Sequence, residues 1–344
     1  MSDFEEDDTA VLPDTQEMRH QMVQIASGLC AEFRRGFNGT GEVERLAARG
    51  EPHWILDLLS LWRPAGQASG QDGLRLAVRN GYLNFYRRGQ SVARVEFVRG
   101  QLRGHVHSKY FSAAARERGG QVYGEFAGDH VKSLYEQVRY DGLDTLLAWI
   151  ALIDTKYAGV EKRLVDDLVG LNSHVIDLEM GLPGWRHRKA PLRMDIVTID
   201  DGQVVFWEAK CAGDARIRAQ ADPEVLIQLA HYREFLVQDV HRWRIAQAYR
   251  EAAAVLTRLR AVADAVETRR PLGQAILDAR HNEQLTVARE AALVVIDEAA
   301  VEVGAPQGRK WHTWHQNGHL AKLKGRARVL AQATPGILRL DAAV

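Results

Sequence analysis

The chain has 344 residues, 46% hydrophobic and 26% charged, the balance of a globular protein with room for two modest domains or one domain with large additions. Its 45 basic residues are matched by 45 acidic ones, which excludes the overall positive excess of a small nucleic-acid-coating protein but not separated patches of charge. No apolar run approaches the roughly 20 residues that span a bilayer, and two cysteines, Cys30 and Cys211, supply neither a disulfide framework nor a cysteine zinc cage.

Residues 1–15 are expected to be an acidic tail, with five acids among the six residues from Asp3 to Asp8. That start lacks the basic-then-apolar pattern of a secretory signal, so the expected compartment is the cytoplasm. From Thr15 to Trp62 the pattern is helical, with Met22, Ile25, Leu29 and Phe33 spaced by three and four, and a second helix is expected over Trp54–Trp62. Arg63 to Gly73 reads as a loop. Short β-type runs follow at Leu74–Arg79, Tyr82–Arg87, Val92–Val98 and Leu102–His107. They are separated by Asn80-Gly81, Arg88-Gly89-Gln90 and Arg99-Gly100, turn chemistry that predicts an antiparallel meander of about four strands.

The meander carries Arg75, Arg79, Arg87, Arg88, Arg94, Arg99 and Arg103, interleaved with Tyr82, Phe85 and Tyr86. Two readings stay open: a surface that holds nucleic acid through arginine and stacking, or a sheet with one basic face and an aromatic core face. A helix is expected over His130–Ile153, then helix, strand, strand, strand, helix over Lys156–Val237. A charged helical hairpin over Arg242–Arg280, broken near Pro271, is expected to project as an insertion covering about 241–285. Ala291–Asp297 reads as a buried strand, and the tail from Arg309 to Val344 as short strands. The expected domains are an N-terminal module over 16–150, a core over 151–300 and a C-terminal segment over 301–344.

Chemistry concentrates in the core. Gln203–Lys210, QVVFWEAK, alternates as a strand, so Val204, Phe206, Glu208 and Lys210 share one face. A carboxylate and an ammonium at the end of an apolar strand are costly to bury unless something uses them. The preceding strand, Leu192–Ile199, contains Asp195, and Asp200-Asp201-Gly202 supplies the hairpin turn that brings Asp195 toward Glu208. Two carboxylates converging there suit Mg²⁺, which takes oxygen ligands and completes its shell with water and phosphate. Upstream, Glu161 falls on the same stripe as Leu164, Val165 and Leu168, whereas Asp166 and Asp167 fall off it and are expected to face solvent.

A helical acid, a strand acid and a Glu-Ala-Lys on the next strand resemble the PD-(D/E)XK, or restriction-endonuclease-like, superfamily. Asp195 matches the first acid of its motif, Glu208 the second, Lys210 the lysine, and Glu161 the helical glutamate. Gln228 and Tyr232 fit the Gln-x-x-x-Tyr element of RecB-type members, on a helix that Asp222 caps and Pro223 begins. Met194 stands where the motif has proline, and no histidine lies between Lys156 and Gly170, where RecB-type members carry one. The resemblance covers about Lys156 to Val237.

It implies an α/β fold, a restriction-endonuclease-like mixed sheet flanked by helices, joined to an N-terminal α+β module with the meander. It also implies Mg²⁺-dependent phosphodiester hydrolysis, with Mn²⁺ able to substitute, as in an endonuclease of bacterial restriction or phage defence. Asp195, Glu208 and Glu161 would serve the metal, Lys210 the attacking water or transition state, and Gln228 and Tyr232 the shape of the site. DNA is favoured over RNA by the same resemblance, a homodimer would follow from double-strand cutting, and no membrane is involved. The alternative is a nucleic-acid-binding or partner-activated subunit of a larger defence or repair assembly.

Three further features weigh less. Arg186, His187, Arg188, Lys189 and Arg193 form either a phosphate-backbone contact beside the site or a solvated basic loop. His312, His315 and His319 have helical metal-ligand spacing, but Trp311, Trp314 and Asn317-Gly318 favour a strand-turn segment, and no nearby acid or cysteine completes a shell. Cys211 follows Lys210 without a partner arrangement for nucleophilic work, and neither a Walker-type phosphate loop nor a dinucleotide fingerprint is present.

Overall fold

Two-residue turns set the strand registers. Arg88-Gly89, Arg99-Gly100 and Asp201-Gly202 each place both residues at positive φ, between 44° and 80°. This turn matches the right-handed twist of the strands it joins. Asn80-Gly81 departs from expectation. Gly81 is at φ 81°, but Asn80 is not among the positive-φ residues; it is instead bridged to Gly36.

The computed structural model describes residues 33–120, 122–183, 192–219, 221–266, 271–297, 308–332 and 339–340. Among these it is a mixed α/β chain with ten α-helices and two sheets, and it divides into two units. The acidic tail, Met22, Ile25, Leu29 and Cys30 lie outside the described residues.

One unit comprises Arg35–Leu178 and Glu251–Leu277. It opens with α1 (Thr40–Arg49), ended by Gly50 in the left-handed conformation, and α2 (Trp54–Leu61), whose first turn is capped by the His53 ring. The chain from Phe33 to Gly39 is not helical, so the long helical pattern is broken there. Its sheet runs in sequence order through β1 (Arg75–Val78), β2 (Tyr82–Arg87), β3 (Gln90–Val98), β4 (Gln101–His107), β5 (Tyr123–Ala127), β6 (His130–Lys132) and β7 (Gln137–Arg139). Every neighbouring pair is antiparallel. The expected four-strand meander is therefore extended by three strands. A helix does not begin at His130; Val131 is fully buried in β6 opposite Phe126. After the short α3 (Ala113–Arg118), the next helix starts only after Gly142, as α4 (Leu143–Lys156), and α5 (Val160–Leu171) follows. Gly104 on β4 makes room for the stacked rings of Trp54 and Phe126, 4.8 Å apart, since a Cβ there would lie 2.7–2.9 Å from both.

Three of the meander arginines are core residues. Arg75 donates to Asp166 at 2.7 Å and to the Gln67 carbonyl at 2.7 Å; Arg87 donates to Asp154 at 2.8 Å; and Arg79 pairs with Asp177, which also takes Arg35 at 3.2 Å. All three guanidiniums are buried, and so is Asp166, which corrects its expected solvent-facing position. Ser69 and Arg75 together satisfy its carboxylate. These three arginines are thus spent on the fold, and a nucleic-acid surface built on them is ruled out.

The other unit takes in the described residues of Glu179–Arg250 and Asp278–Val344, together with Phe33 and Arg34. Its sheet has the order β13 (Val329–Gln332), β12 (Ala292–Ile296), β10 (Gln203–Cys211), β9 (Arg193–Asp200), β8 (Val175–Gly181), with β11 (Thr286–Val287) also paired to β10. β9 and β10 form the expected antiparallel hairpin, while β10–β12 and β12–β13 are parallel. The division between the units falls within β8 and within α7 (Asp239–Val266). A projecting hairpin was expected at α7, but Ile245, Tyr249, Ala253, Leu256 and Leu259 are buried, and its second limb is only α8 (Gln274–Ala279). α6 (Glu224–Leu236) begins one residue later than expected. Pro223 is its N-cap residue, and Asp222 pairs with Arg326 at 3.0 Å instead of capping. The tail forms α9 (Arg309–Gln316) and α10 (His319–Lys324) before β13, so strands were expected where helices stand. Among the described residues, no helix is long and apolar enough to cross a membrane.

Removing one member of a buried ion pair leaves its partner charged in a dry site, at a cost of about 3–5 kcal/mol. Arg75→Ala is therefore expected to lower unfolding stability by about that amount in urea denaturation followed by fluorescence. A loss under about 1 kcal/mol would show that Asp166 is satisfied without it.

Candidate active site

The site is built at the end of the β9–β10 hairpin. The last regular pair is Trp207 opposite Ile196, and the Trp207 indole donates to Thr198 Oγ1 at 2.9 Å, fixing that register. One residue further, the same register sets Glu208 opposite Asp195, on one face of the sheet. Asp195 Oδ2 accepts from the Ala209 amide at 2.8 Å. Lys210, two residues on from Glu208 and on its face, reaches back to Glu208 Oε1 at 2.6 Å. Its ammonium also donates to the Ala209 carbonyl at 2.9 Å and lies 3.9 Å from Asp195 Oδ2.

Two carboxylates and a peptide carbonyl thus converge on one cationic centre. The side chains of Lys210 and Glu208 are 1% and 3% exposed, and that of Asp195 is 18% exposed. Burial, and then the charge of Glu208, push the Asp195 carboxyl up to about 8, against the pull of Lys210 and the Ala209 amide.

α6 supplies the other wall. Val225, Leu229, Tyr232 and Phe235 are buried. The Tyr232 hydroxyl lies 3.0 Å from Glu208 Oε2 and against the Arg193 carbonyl, and it accepts from the Gln228 amide. The spacing of four between Gln228 and Tyr232 puts both on one face of the helix, so one hydroxyl links α6, β9 and β10. Burial and the negative charge of Glu208 raise the phenol, which stays protonated as a hydrogen-bonding group.

Five of the six expected catalytic residues, Asp195, Glu208, Lys210, Gln228 and Tyr232, therefore stand in one connected cluster within one unit. Glu161 lies half-buried in the first turn of α5, in the unit that carries the meander. Arg193 is exposed at the start of β9 and contributes its carbonyl; Arg186, His187, Arg188 and Lys189 lie outside the described residues. His312, His315 and His319 are on α9 and α10, and no group of three or more His, Cys, Asp or Glu side chains able to hold a metal occurs among the described residues. Cys211 is a buried thiol.

Sequence reasoning missed Glu179. It sits in β8 at φ 50°, a strained conformation for a residue with a side chain, and its charge adds to the upward push on Asp195. Nothing in the alternation of β8 marks it, because Val175 to Leu178 are buried on both faces. Comparison with family models, with curated proteins and with solved structures finds no match to the chain.

The raised Asp195 carboxyl makes metal-free stability depend on pH. The folded value of about 8 lies above the usual 3.8, so the contribution is fully present below about pH 4 and is lost as pH rises through about 8. Asp195→Asn keeps an acceptor for the Ala209 amide but removes the titration. In EDTA, the melting temperature of this variant relative to wild type is expected to climb between about pH 5 and pH 9. A difference that stays constant over that range would contradict the assignment.

Proposed function

We propose that the chain is a metal-dependent phosphodiester hydrolase of the PD-(D/E)XK type acting on nucleic acid, with DNA the favoured substrate. The observation that carries this reading is the convergence of Asp195, Glu208 and the Ala209 carbonyl on a single buried cationic centre. The order α5, β8, β9, β10, α6, with β9 and β10 antiparallel, supports a restriction-endonuclease-like core.

The donor chemistry fits a hard divalent ion. The oxygens are carboxylate and carbonyl, and the raised carboxyl of Asp195, buried beside Glu208, would be relieved by a second positive charge. Asp195, Glu208 and the Ala209 carbonyl would hold Mg²⁺ or Mn²⁺, which lowers the pKa of a bound water and neutralises charge on phosphoryl oxygens.

Hydrolysis joins a water oxygen to phosphorus, breaks the bond to the leaving oxygen and ends with a proton on that oxygen. Lys210 supplies a positive hydrogen-bond donor beside Glu208, suited to hold the water or the negative charge that develops on the phosphoryl group. Tyr232 holds the second oxygen of Glu208, and Gln228 holds Tyr232, so these two position a ligand without touching substrate. This reading rests on five residues of one unit and gives Glu161 no step. A defence or restriction role is the setting that the resemblance suggests.

A second reading, a binding or partner-activated subunit, is favoured by one observation: Lys210 already engages the acidic oxygens. Cleavage separates the two. Closed-circular DNA, linear DNA, single-stranded DNA and RNA would each be incubated with Mg²⁺, Mn²⁺ or EDTA. Metal-dependent cutting is expected, reduced by at least about 100-fold in folded Asp195→Ala and Lys210→Ala proteins and by about 10- to 100-fold in Tyr232→Phe. Cutting that persists in Asp195→Ala would sink the catalytic assignment, and no cutting by wild type with any metal would favour the second reading.

A further inference from the structure

The charge balance of zero hides one strong segregation. Between Glu302 and Asp341 the sequence contains no acidic residue and seven Lys or Arg. The described part of this run is α9, α10 and β13; Arg309, Lys310 and Lys324 are exposed there, as is Arg326, which pairs with Asp222. This is the same unit as the acid–lysine cluster.

Its position follows from the sheet. β10 and β12 are parallel, with Lys210 paired to Val295 and Cys211 to Ile296, so both strands finish at the same end of the sheet. There the Ala212 amide donates to the Ile296 carbonyl, and the Gly308 amide, just before α9, donates to Asp297 just after β12. The buried Trp314 indole then donates to the Ile217 carbonyl at 3.3 Å, which fastens α9 to the turn following β10. The basic hairpin is thus held beyond the strand ends that carry Lys210. In open α/β sheets, ligands bind outside such ends.

Two further cations from two segments, Lys322 of α10 and Arg218 in the turn after β10, act on one buried imidazole. His319 is buried, its Nδ1 has no hydrogen-bond partner, and burial, then Lys322 and Arg218, hold its imidazole below the usual range. A surface of this kind gains free energy by meeting a line of negative charge. A phosphodiester backbone supplies that line at regular spacing, whatever its sequence.

We propose that the α9–α10 hairpin, through Arg309, Lys310, Lys324 and their basic neighbours, is the surface on which this unit seats the phosphodiester backbone of a nucleic acid. The assignment rests on the hydrolase reading for its substrate class but is tested without catalysis. It provides, from a different part of the chain, the backbone contact expected of the segment around Arg186–Arg193.

The test measures binding of labelled duplex DNA, single-stranded DNA and RNA by fluorescence anisotropy in EDTA over a range of salt. Wild type is expected to bind at least one of them with a steep salt dependence. In the triple variant Arg309→Ala/Lys310→Ala/Lys324→Ala, the slope of log K against log salt on duplex should fall by about 2–3 and affinity should drop at least about tenfold. A Lys/Arg-swapped triple (Arg309→Lys, Lys310→Arg, Lys324→Arg) should restore both. A control, Arg49→Ala/Arg103→Ala/Arg139→Ala, removes three exposed cations from the other unit and should change little. The proposal is overturned if the first triple binds like wild type, if the control loses as much, or if wild type binds anionic phospholipid vesicles and no nucleic acid. Loss of binding in the triple, with no metal-dependent cleavage by wild type, would keep the surface and reject the hydrolase. Asp195-dependent cleavage with unchanged binding by the triple would do the reverse.

Discussion

The candidate site depends on holding a buried ammonium and two carboxyl groups beside one another. Lys210 and Glu208 project from a strand whose other residues are apolar and buried, where an isolated ion would cost several kcal/mol in lost hydration. Each survives because the other is 2.6 Å away, and because the Ala209 carbonyl accepts from Lys210 and the Tyr232 hydroxyl lies 3.0 Å from the second oxygen of Glu208. The balance is incomplete: burial, and then the charge of Glu208, leave Asp195 with a raised pKa that one ammonium does not offset. A divalent cation bound there would favour the ionised form of Asp195 in a dry and rigid setting, which is what would make the cluster a cation site.

The unit with the meander uses the same physics to a different end. Arg75, Arg79 and Arg87 are as buried as Lys210, but their guanidiniums are matched by Asp166, Asp177 and Asp154 and by backbone carbonyls. A guanidinium has five donors in a fixed plane, so it can satisfy a carboxylate and several carbonyls at once. These pairs saturate themselves and leave nothing for a ligand. The contrast separates buried charges that saturate one another from a cluster in which two acids share one ammonium.

Charge elsewhere in the chain follows the elements that carry it. The exposed cations of α9 and α10 stand in a run free of acids, whereas the exposed Arg94 on β3 pairs with Glu96 and lies 4.0 Å over the Tyr82 ring. A net charge of zero is thus a sum over regions of mixed and of single-sign charge, and a single-sign region exerts a field over a Debye length of about 8–10 Å.

The parts of the site that were legible in the sequence are those whose geometry is local. Period-two alternation put Glu208 and Lys210 on one face, Asp201-Gly202 closed the hairpin that brings Asp195 alongside, and a spacing of four put Gln228 and Tyr232 together on a helix. The first four strands of the meander were legible for the same reason, because turn residues and alternation act over a few positions. What only the tertiary structure decided depends on partners far along the chain. Arg75, Arg87 and Arg79 find their acids 91, 67 and 98 residues away, and no local pattern separates a buried arginine from an exposed one. β6 and β7 are strands because β5 offers a free edge, against a helical reading of their own sequence. The positive φ of Glu179 and the docking of Trp314 on Ile217 are likewise set by neighbours from other segments. The sequence by itself determined which groups could do chemistry, since that requires only short-range spacing. The tertiary structure decided which charges are already neutralised, because burial and pairing are properties of the whole packed chain.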